Sequence, residues 1–362
     1  MLDIENLLSE LDVPNALLFN SGKVVKTPSD FEKRREEIKE ILENEEYGKI
    51  PRRPDHLRVE EISVTESFCA GKAPHKKLSF ICTFGEDEIS FPVSSVIPKS
   101  KSPSPAFVFI NFRPDVPDKY LPVEEIVDRG YAVFSFCYTD ISTDDSNFKS
   151  GFAKYLASPR RKMSDSGKIA MWAWGAMRIM DYIETLDSID RRNIAVAGQE
   201  RLGAAALVAG GFDERFKFVI SNGSGLGGAA LFSEKSGNSL ASLLKTNHFW
   251  FCPRCRENER NGANRRFDQN FLAALTVPRH LMIGSAEDDA LTSPKSEFLT
   301  TASVNSAYAL YGKGGISIPL DFPSANTTIS GDGALYQVRR GYNYFSRDDW
   351  NIYMNYIDKN KD

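Results

Sequence analysis

Apolar residues run along this chain in two rhythms. Between residues 57 and 96 they alternate with polar ones, as in Leu78-Ser79-Phe80-Ile81-Cys82-Thr83-Phe84, a period of two that predicts antiparallel strands. After a Ser/Pro/Lys turn at 99–105 the rhythm changes. Ala106-Phe107-Val108-Phe109-Ile110 and Ala132-Val133-Phe134-Ser135-Phe136 are unbroken apolar runs, which fit strands buried on both faces of a parallel sheet. Further strands are predicted at 193–197, 217–221 and 280–284. Helical stretches intervene at 123–129 and at Gly167 to Leu186, the latter carrying Trp172, Trp174, Met177, Ile179 and Tyr182. This βαβ order predicts a three-layer α/β/α sandwich around a mostly parallel, doubly wound sheet. Near the start, residues 30–48 read as a charged amphipathic helix with Ser29 as N-cap and Glu32 three residues on. Dense Pro, Gly and Asn at 251–266 and 313–334 predict long loops over the carboxyl edge of the sheet. Residues 1–362 read as one domain, with 1–55 an N-terminal helical extension packed on it.

Composition narrows the function classes. The 362 residues are 41% hydrophobic, enough for a large core, and 45 basic residues are mixed with 49 acidic ones for a net charge of −4. No basic stripe suggests a nucleic-acid partner or a membrane anchor, and the apolar runs are too short to span a bilayer. The start, Met1-Leu2-Asp3-Ile4-Glu5, has neither the basic nor the apolar stretch of a secretory leader. Five cysteines, an odd number, fit free thiols in a reducing, cytoplasmic setting. Cys252 and Cys255 form a CxxC pair, but with His248 they offer three zinc ligands at best, so they read as packed thiols. No metal or other cofactor is expected, and nothing in the chain speaks to its oligomeric state.

The chemistry concentrates at Gly198-Gln199-Glu200-Arg201-Leu202-Gly203. An apolar strand precedes this turn and an Ala-rich helical stretch, Ala204 to Gly210, follows it. Strand, glycine-flanked turn and helix form the frame of the nucleophile elbow of α/β-hydrolases, where the glycines permit a strained turn and close backbone packing. The tip of such an elbow carries Ser, Cys or Asp; here it is Glu200.

Several segments in order resemble the glucuronoyl esterase family of carbohydrate esterases, including bacterial members labelled acetyl xylan esterases. Phe31 to Arg35 and Tyr47 to Pro51 resemble its opening helix and exit, and Arg129 to Val133 the strand after the oxyanion loop. Trp172 to Gly175, with Arg178, Asp181 and Tyr182, resembles the helix supporting the elbow. Gly198 to Leu207 resembles G-x-S-R-x-G-x-x-A-L, and Asn222 to Ala230 resembles N-x-S-G-x-G-G-A-A. Phe267 to Arg279 resembles D-Q-H…A-P-R, and Arg339 to Trp350 resembles R-P-G-x-H-D…D-W. The resemblance implies an α/β-hydrolase fold and a site at these loops.

It also implies departures. The serine of the family falls on Glu200, the acid on Gly223, an alternative acid of a D-x-W-A-D-P segment on Ser293, its tryptophan on Leu291, and the histidine on Asn343. The histidine of D-Q-H falls on Asn270. Arg201 matches the family arginine beside the nucleophile, where its N–H and side chain can bind an oxyanion. Asp289, Asn270, Tyr342 and Tyr344 are candidate ligand contacts on the same loops, Phe249 to Phe251 a lid, and Asp288 and Asp289 exposed or helix-capping acids. Acyl transfer needs a nucleophile, a base within reach and a group to orient the base, and all three positions are altered. Attack by a carboxylate on an ester gives an anhydride, and Asn343 supplies no base to hydrolyse it. The principal reading is a non-hydrolytic homologue that binds a small-molecule or carbohydrate-like ligand, or a partner. The alternatives are an enzyme using Glu200 as general base or carboxylate nucleophile, and a weak carbohydrate esterase.

Overall fold

The computed structural model describes residues 1–234, 239–263, 265–289 and 292–362. Among the described residues, ten strands form one sheet: β1 (His56–Thr65), β2 (His75–Phe84), β3 (Asp87–Val96), β4 (Ser104–Asn111), β5 (Ala132–Cys137), β6 (Ile189–Gln199), β7 (Phe218–Asn222), β8 (His280–Ala286), β9 (Thr327–Ser330) and β10 (Ala334–Arg339), in the order β1-β2-β3-β5-β4-β6-β7-β8-β10-β9. The six strands from β5 to β10 in that order are parallel. β1, β2 and β3 form an antiparallel meander at one edge, and β9 runs antiparallel at the other.

Strand alternation divides the core between the two faces of the sheet. Val108, Ile110, Ile194 and Val196 join the cluster beneath the helices Lys168–Ile183 and Arg201–Phe212. Phe107, Phe109, Ala195 and Ala197 point the other way, into a cluster with Trp350, Tyr353 and Met354 of the C-terminal helix Arg347–Asn360. Successive side chains of a strand lie on opposite faces, so a strand covered on both sides must be apolar throughout. β1 is mostly exposed and polar because little covers its outer side.

Local signals differ from expectation in three places. The first long helix spans Pro28–Glu45, and its cap is Thr27, whose hydroxyl accepts from the Asp30 N–H at 3.0 Å, in place of Ser29. Proline at the first helical position fixes that start. Within 251–266, expected as loop, Pro253–Arg260 is helical, again begun by a proline at its first turn. At the end of 313–334, β9 pairs with β10, and β10 completes the parallel core beside β8.

Trp350 anchors the C-terminal face. It is fully buried, stacks on Phe345 with ring centroids 4.6 Å apart, and meets Phe107 and Phe109 edge-on. Trp350→Ala is expected to cost about 3–5 kcal/mol through lost burial and a large void. Urea unfolding should show a lower midpoint with an unchanged m-value.

Candidate active site

β6 ends at Gln199, and Arg201–Phe212 starts directly beyond Glu200. The single residue between strand and helix takes φ +54°, ψ −130°, a left-handed conformation rare for a residue with a side chain. A Cβ at Gly198 would overlap the Leu202 carbonyl, and one at Gly203 would sit 3.0 Å from the Ser221 hydroxyl. The two glycines thus let helix and strand close on each other and push the side chain of residue 200 outward. The Glu200 N–H donates to the Asn222 carbonyl at 2.9 Å, and its own carbonyl accepts from Gly203 at 2.8 Å. A carboxylate here lies at a helix N-terminus, where the unpaired N–H groups and the helix dipole favour negative charge.

The Glu200 carboxylate, with a side chain 47% exposed, accepts from Arg201 Nη1 at 2.7 Å. The Nε of Arg201 donates to Asp144 at 2.8 Å, and Asp144 also accepts from Trp250 Nε1 at 2.7 Å and from the Tyr138 hydroxyl at 3.3 Å. The guanidinium carbon stands 5.1 Å from the Phe112 ring centroid and 5.4 Å from that of Trp250. Burial alone would lower the pKa of Arg201, but the charge of Glu200 and the hydrogen bond and charge of Asp144 outweigh it and raise the value. Arg201 is therefore a fixed cation held from both ends.

A second polar chain runs behind the elbow. Tyr353 donates to Asn222 at 2.7 Å, Asn222 donates to Gln199 at 2.7 Å, and Gln199 donates to Asn343. Asn343 in turn donates to the Gly223 carbonyl at 3.0 Å. The fold therefore brings residues 343 and 223 together beside the elbow. A Cβ on Gly223 would lie 2.5 Å from the Asn343 side chain, and its φ of +55° suits glycine.

A cleft of about 340 Å³ opens over these groups. Its polar lining includes Glu200, Arg201, Gln199, Ser224, Asn247, Asp289, Thr292 and Asn343, and its apolar walls Phe112, Tyr120, Leu226, Leu243 and Trp250. Other expected contacts lie elsewhere. Asn270 is buried and donates to the Pro14 carbonyl at 2.8 Å, which ties the N-terminal extension down. Tyr342 is 77% exposed outside the cleft, and Tyr344 packs against Tyr120 with its hydroxyl on the Lys119 carbonyl. Ser293, at φ +50°, donates to Glu234 at 3.1 Å and does not line the cleft. Asp288 is exposed, whereas Asp289 is buried against the cleft, because the turn after β8 folds inward. Ala290 and Leu291 lie outside the described residues. Of the lid segment, Trp250 faces the cleft and Phe251 is buried. Cys252 and Cys255 are free, buried thiols.

Sequence reasoning missed Gln199, Asp144 and Glu297. Glu297 is buried beneath the loop after β7, where its carboxyl accepts from the Gly225 N–H at 2.9 Å and from Ser285 at 2.5 Å. Nothing local marks these residues, since each acquires its partners across the fold. Burial, reinforced by the charge of Asp289, lifts the Glu297 pKa to about 8 against the hydrogen bonds that lower it.

A strained strand–turn–helix at the carboxyl end of a central parallel strand, with the flanking loops gathered over it, defines an α/β-hydrolase fold. Solved structures similar to it include glucuronoyl esterases. The enzyme from Solibacter usitatus superposes with a TM-score of 0.90 at 30% identity, covering 97% of this chain and 98% of that one. A promiscuous CE15 esterase from a marine bacterial metagenome gives 0.87 at 27% identity, with 96% of each chain covered. In sequence, the 4-O-methyl-glucuronoyl methylesterase of Neurospora crassa is 31% identical over 86% of this chain and 75% of its own. Carbohydrate esterase MZ0003, from an unknown prokaryotic organism, is 28% identical over 96% of this chain and 89% of its own. The family profile "Glucuronyl esterase, fungi" matches residues 81–312. The chain belongs to the glucuronoyl esterase family.

Glu297 makes stability depend on pH. Its native carboxyl keeps a proton up to about pH 8, whereas the unfolded one ionises near 4.5. The native state is thus favoured in full below 4.5 and loses this contribution as pH rises through about 8. Glu46, also buried and also raised to about 8, acts in the same sense. Glu297→Gln should flatten the fall in unfolding free energy between pH 5.5 and 8.5, removing at most about 1.4 kcal/mol per pH unit of slope. Urea titrations at several pH values measure it.

Proposed function

We infer that the cleft binds a neutral sugar ester of the uronate type and that the serine route of ester hydrolysis is absent. The observation that carries this reading is Glu200 at the elbow tip, its carboxylate paired with Arg201 where a hydrolase presents its nucleophile. No cysteine or histidine is among the described residues lining the cleft. The names of the relatives favour a carbohydrate ester as ligand. Charge favours the ester over the free acid, because the half-exposed Glu200 carboxylate stands at the cleft and its partner Arg201 is also held by Asp144. Arg201 and the aromatic walls suit a carbonyl oxygen and the apolar face of a sugar ring.

Slow carbohydrate ester hydrolysis is the second reading, and it rests on the same relatives. The cleft hydroxyl it could use is Ser224, which accepts from the Ala229 N–H at 2.8 Å and stands 3.5 Å from Glu297, a carboxyl that becomes a base only as pH rises toward about 8.

Calorimetry with methyl glucuronate methyl ester and with the free acid separates these readings from no binding at all. The ester should bind about threefold tighter than the acid, a preference of about 0.6 kcal/mol. Glu200→Gln should narrow that gap, and Arg201→Ala should weaken the ester about tenfold or more. Hydrolysis should not exceed the buffer rate. Turnover above about 1 per second, an ordinary enzyme rate, would overturn the main reading, and its loss in Ser224→Ala would support the second.

Residues of a catalytic triad act as a unit, so single restorations should fail. Glu200→Ser gives a hydroxyl without a base, and Asn343→His a base without a nucleophile. Glu200→Ser with Asn343→His and Gly223→Asp should yield measurable ester hydrolysis, because positions 343 and 223 already touch beside the elbow. The positive φ of Gly223 strains that aspartate, so Ser293→Asp is the parallel acid variant. Robust activity in Glu200→Ser alone would reveal a base elsewhere.

A further inference from the structure

Beside the cleft lies a second groove of about 530 Å³. The short turn His248–Trp250 separates the two: Asn247 and Trp250 line the cleft, whereas His248, Phe249 and Phe251 line the groove. The groove is basic. Arg256 and Arg260 stand four residues apart on the helix Pro253–Arg260, a spacing that puts them on one helical face. Arg161 also lines it, and among the described lining residues one carboxylate, Glu257, stands against the three guanidiniums.

The groove has a fixed part and an open part. Arg161 donates to the Ser166 carbonyl at 2.7 Å and stacks on the Phe148 ring, 3.8 Å from its centroid. The buried Lys168 ammonium lies 4.5 Å from the centroid of that ring. Arg256 and Arg260, by contrast, form no ion pair with any carboxylate among the described residues. Burial and the charges of Arg256 and Arg260 hold the pKa of His248 below its usual value, as a positive field requires.

Unpaired guanidiniums grip a carboxylate through two parallel hydrogen bonds, and aromatic faces pack on the C–H face of a sugar ring. A groove offering both is complementary to a sugar acid. We propose that this groove is a second binding site, specific for an anionic saccharide, and that it takes a uronate residue of a longer chain whose neighbouring sugar reaches the cleft. The two pockets then divide the labour by charge, the acidic cleft taking the neutral ester and the basic groove a free carboxylate. The choice of a sugar as occupant rests on the reading of the cleft given above; the choice of an anion does not.

The test is calorimetry on the full chain at low salt with trigalacturonate, neutral xylotriose and inorganic sulfate as probes. Trigalacturonate should bind, xylotriose should bind at least about tenfold more weakly, and raising the salt should weaken the acid alone. Arg256→Ala with Arg260→Ala should cost trigalacturonate at least tenfold and leave the methyl ester in the cleft unchanged. Arg256→Lys with Arg260→Lys, which keeps the charge but not the paired hydrogen bonds, should lose less affinity than the alanine pair, and unchanged methyl ester binding by the alanine variant shows that its loss is not misfolding. Three results would overturn the proposal: no trigalacturonate binding, binding indifferent to the double alanine variant, or sulfate bound as tightly as trigalacturonate. Arginine-dependent trigalacturonate binding with no methyl ester binding would sustain the groove and overturn the reading of the cleft.

Discussion

Gly198 has no Cβ because the Leu202 carbonyl occupies the place where one would be. That close approach of helix to strand sets the geometry on which the site depends. It forces residue 200 into a left-handed conformation, turns its side chain away from the sheet, and fixes the helix Arg201–Phe212 over the central strands. The same helix meets the sheet again at Gly210, where a Cβ would overlap Val219. Small residues along the buried side, Ala204, Ala205, Ala206 and Ala209, maintain the short distance between layers. The frame works for any side chain that tolerates the turn, so its chemistry is set by one residue while its shape is set by many.

With a carboxylate at the tip, the electrostatics around it are organised by Arg201. The guanidinium bridges Glu200 and Asp144, and Asp144 in turn holds the indole N–H of Trp250. Elbow, loop after β5 and lid turn are thus tied through one cation. The polar chain Tyr353–Asn222–Gln199–Asn343 ties the C-terminal helix to the back of the elbow in the same way. Buried polar chains of this kind hold a site rigid only when every member is satisfied, which these side chains achieve with one another and with backbone carbonyls. Trp250 then has a second part to play, because the turn that carries it divides an acidic cleft from a basic groove.

Much of this was legible in the chain. Unbroken apolar runs located β4 and β5, the glycines at 198 and 203 located the elbow, and the family resemblance located residues 223 and 343 as neighbours of its tip. Where the candidate contacts came to lie has one cause. Asn270, Tyr342 and Tyr344 sit on loops near the site in sequence order, but a loop residue faces a cleft only if the backbone turns it that way. Asn270 turned toward Pro14, Tyr344 toward Tyr120 and Tyr342 into solvent. β9, four residues long, is too short for its period to stand out from the turn residues around it.

The sequence by itself determined the layered α/β fold, the position of the strained turn and the identity of the residue at its tip, because these depend on local periodicity, on glycine and on one side chain. Only the tertiary structure decided what surrounds that tip. Asp144 and Arg201 are 57 residues apart, Gln199 and Asn343 are 144 apart, and Glu297 lies 72 residues beyond the Gly225 amide it binds. Such contacts carry no signature in sequence because polar side chains acquire partners, and their charges acquire meaning, only when the chain has excluded water between them.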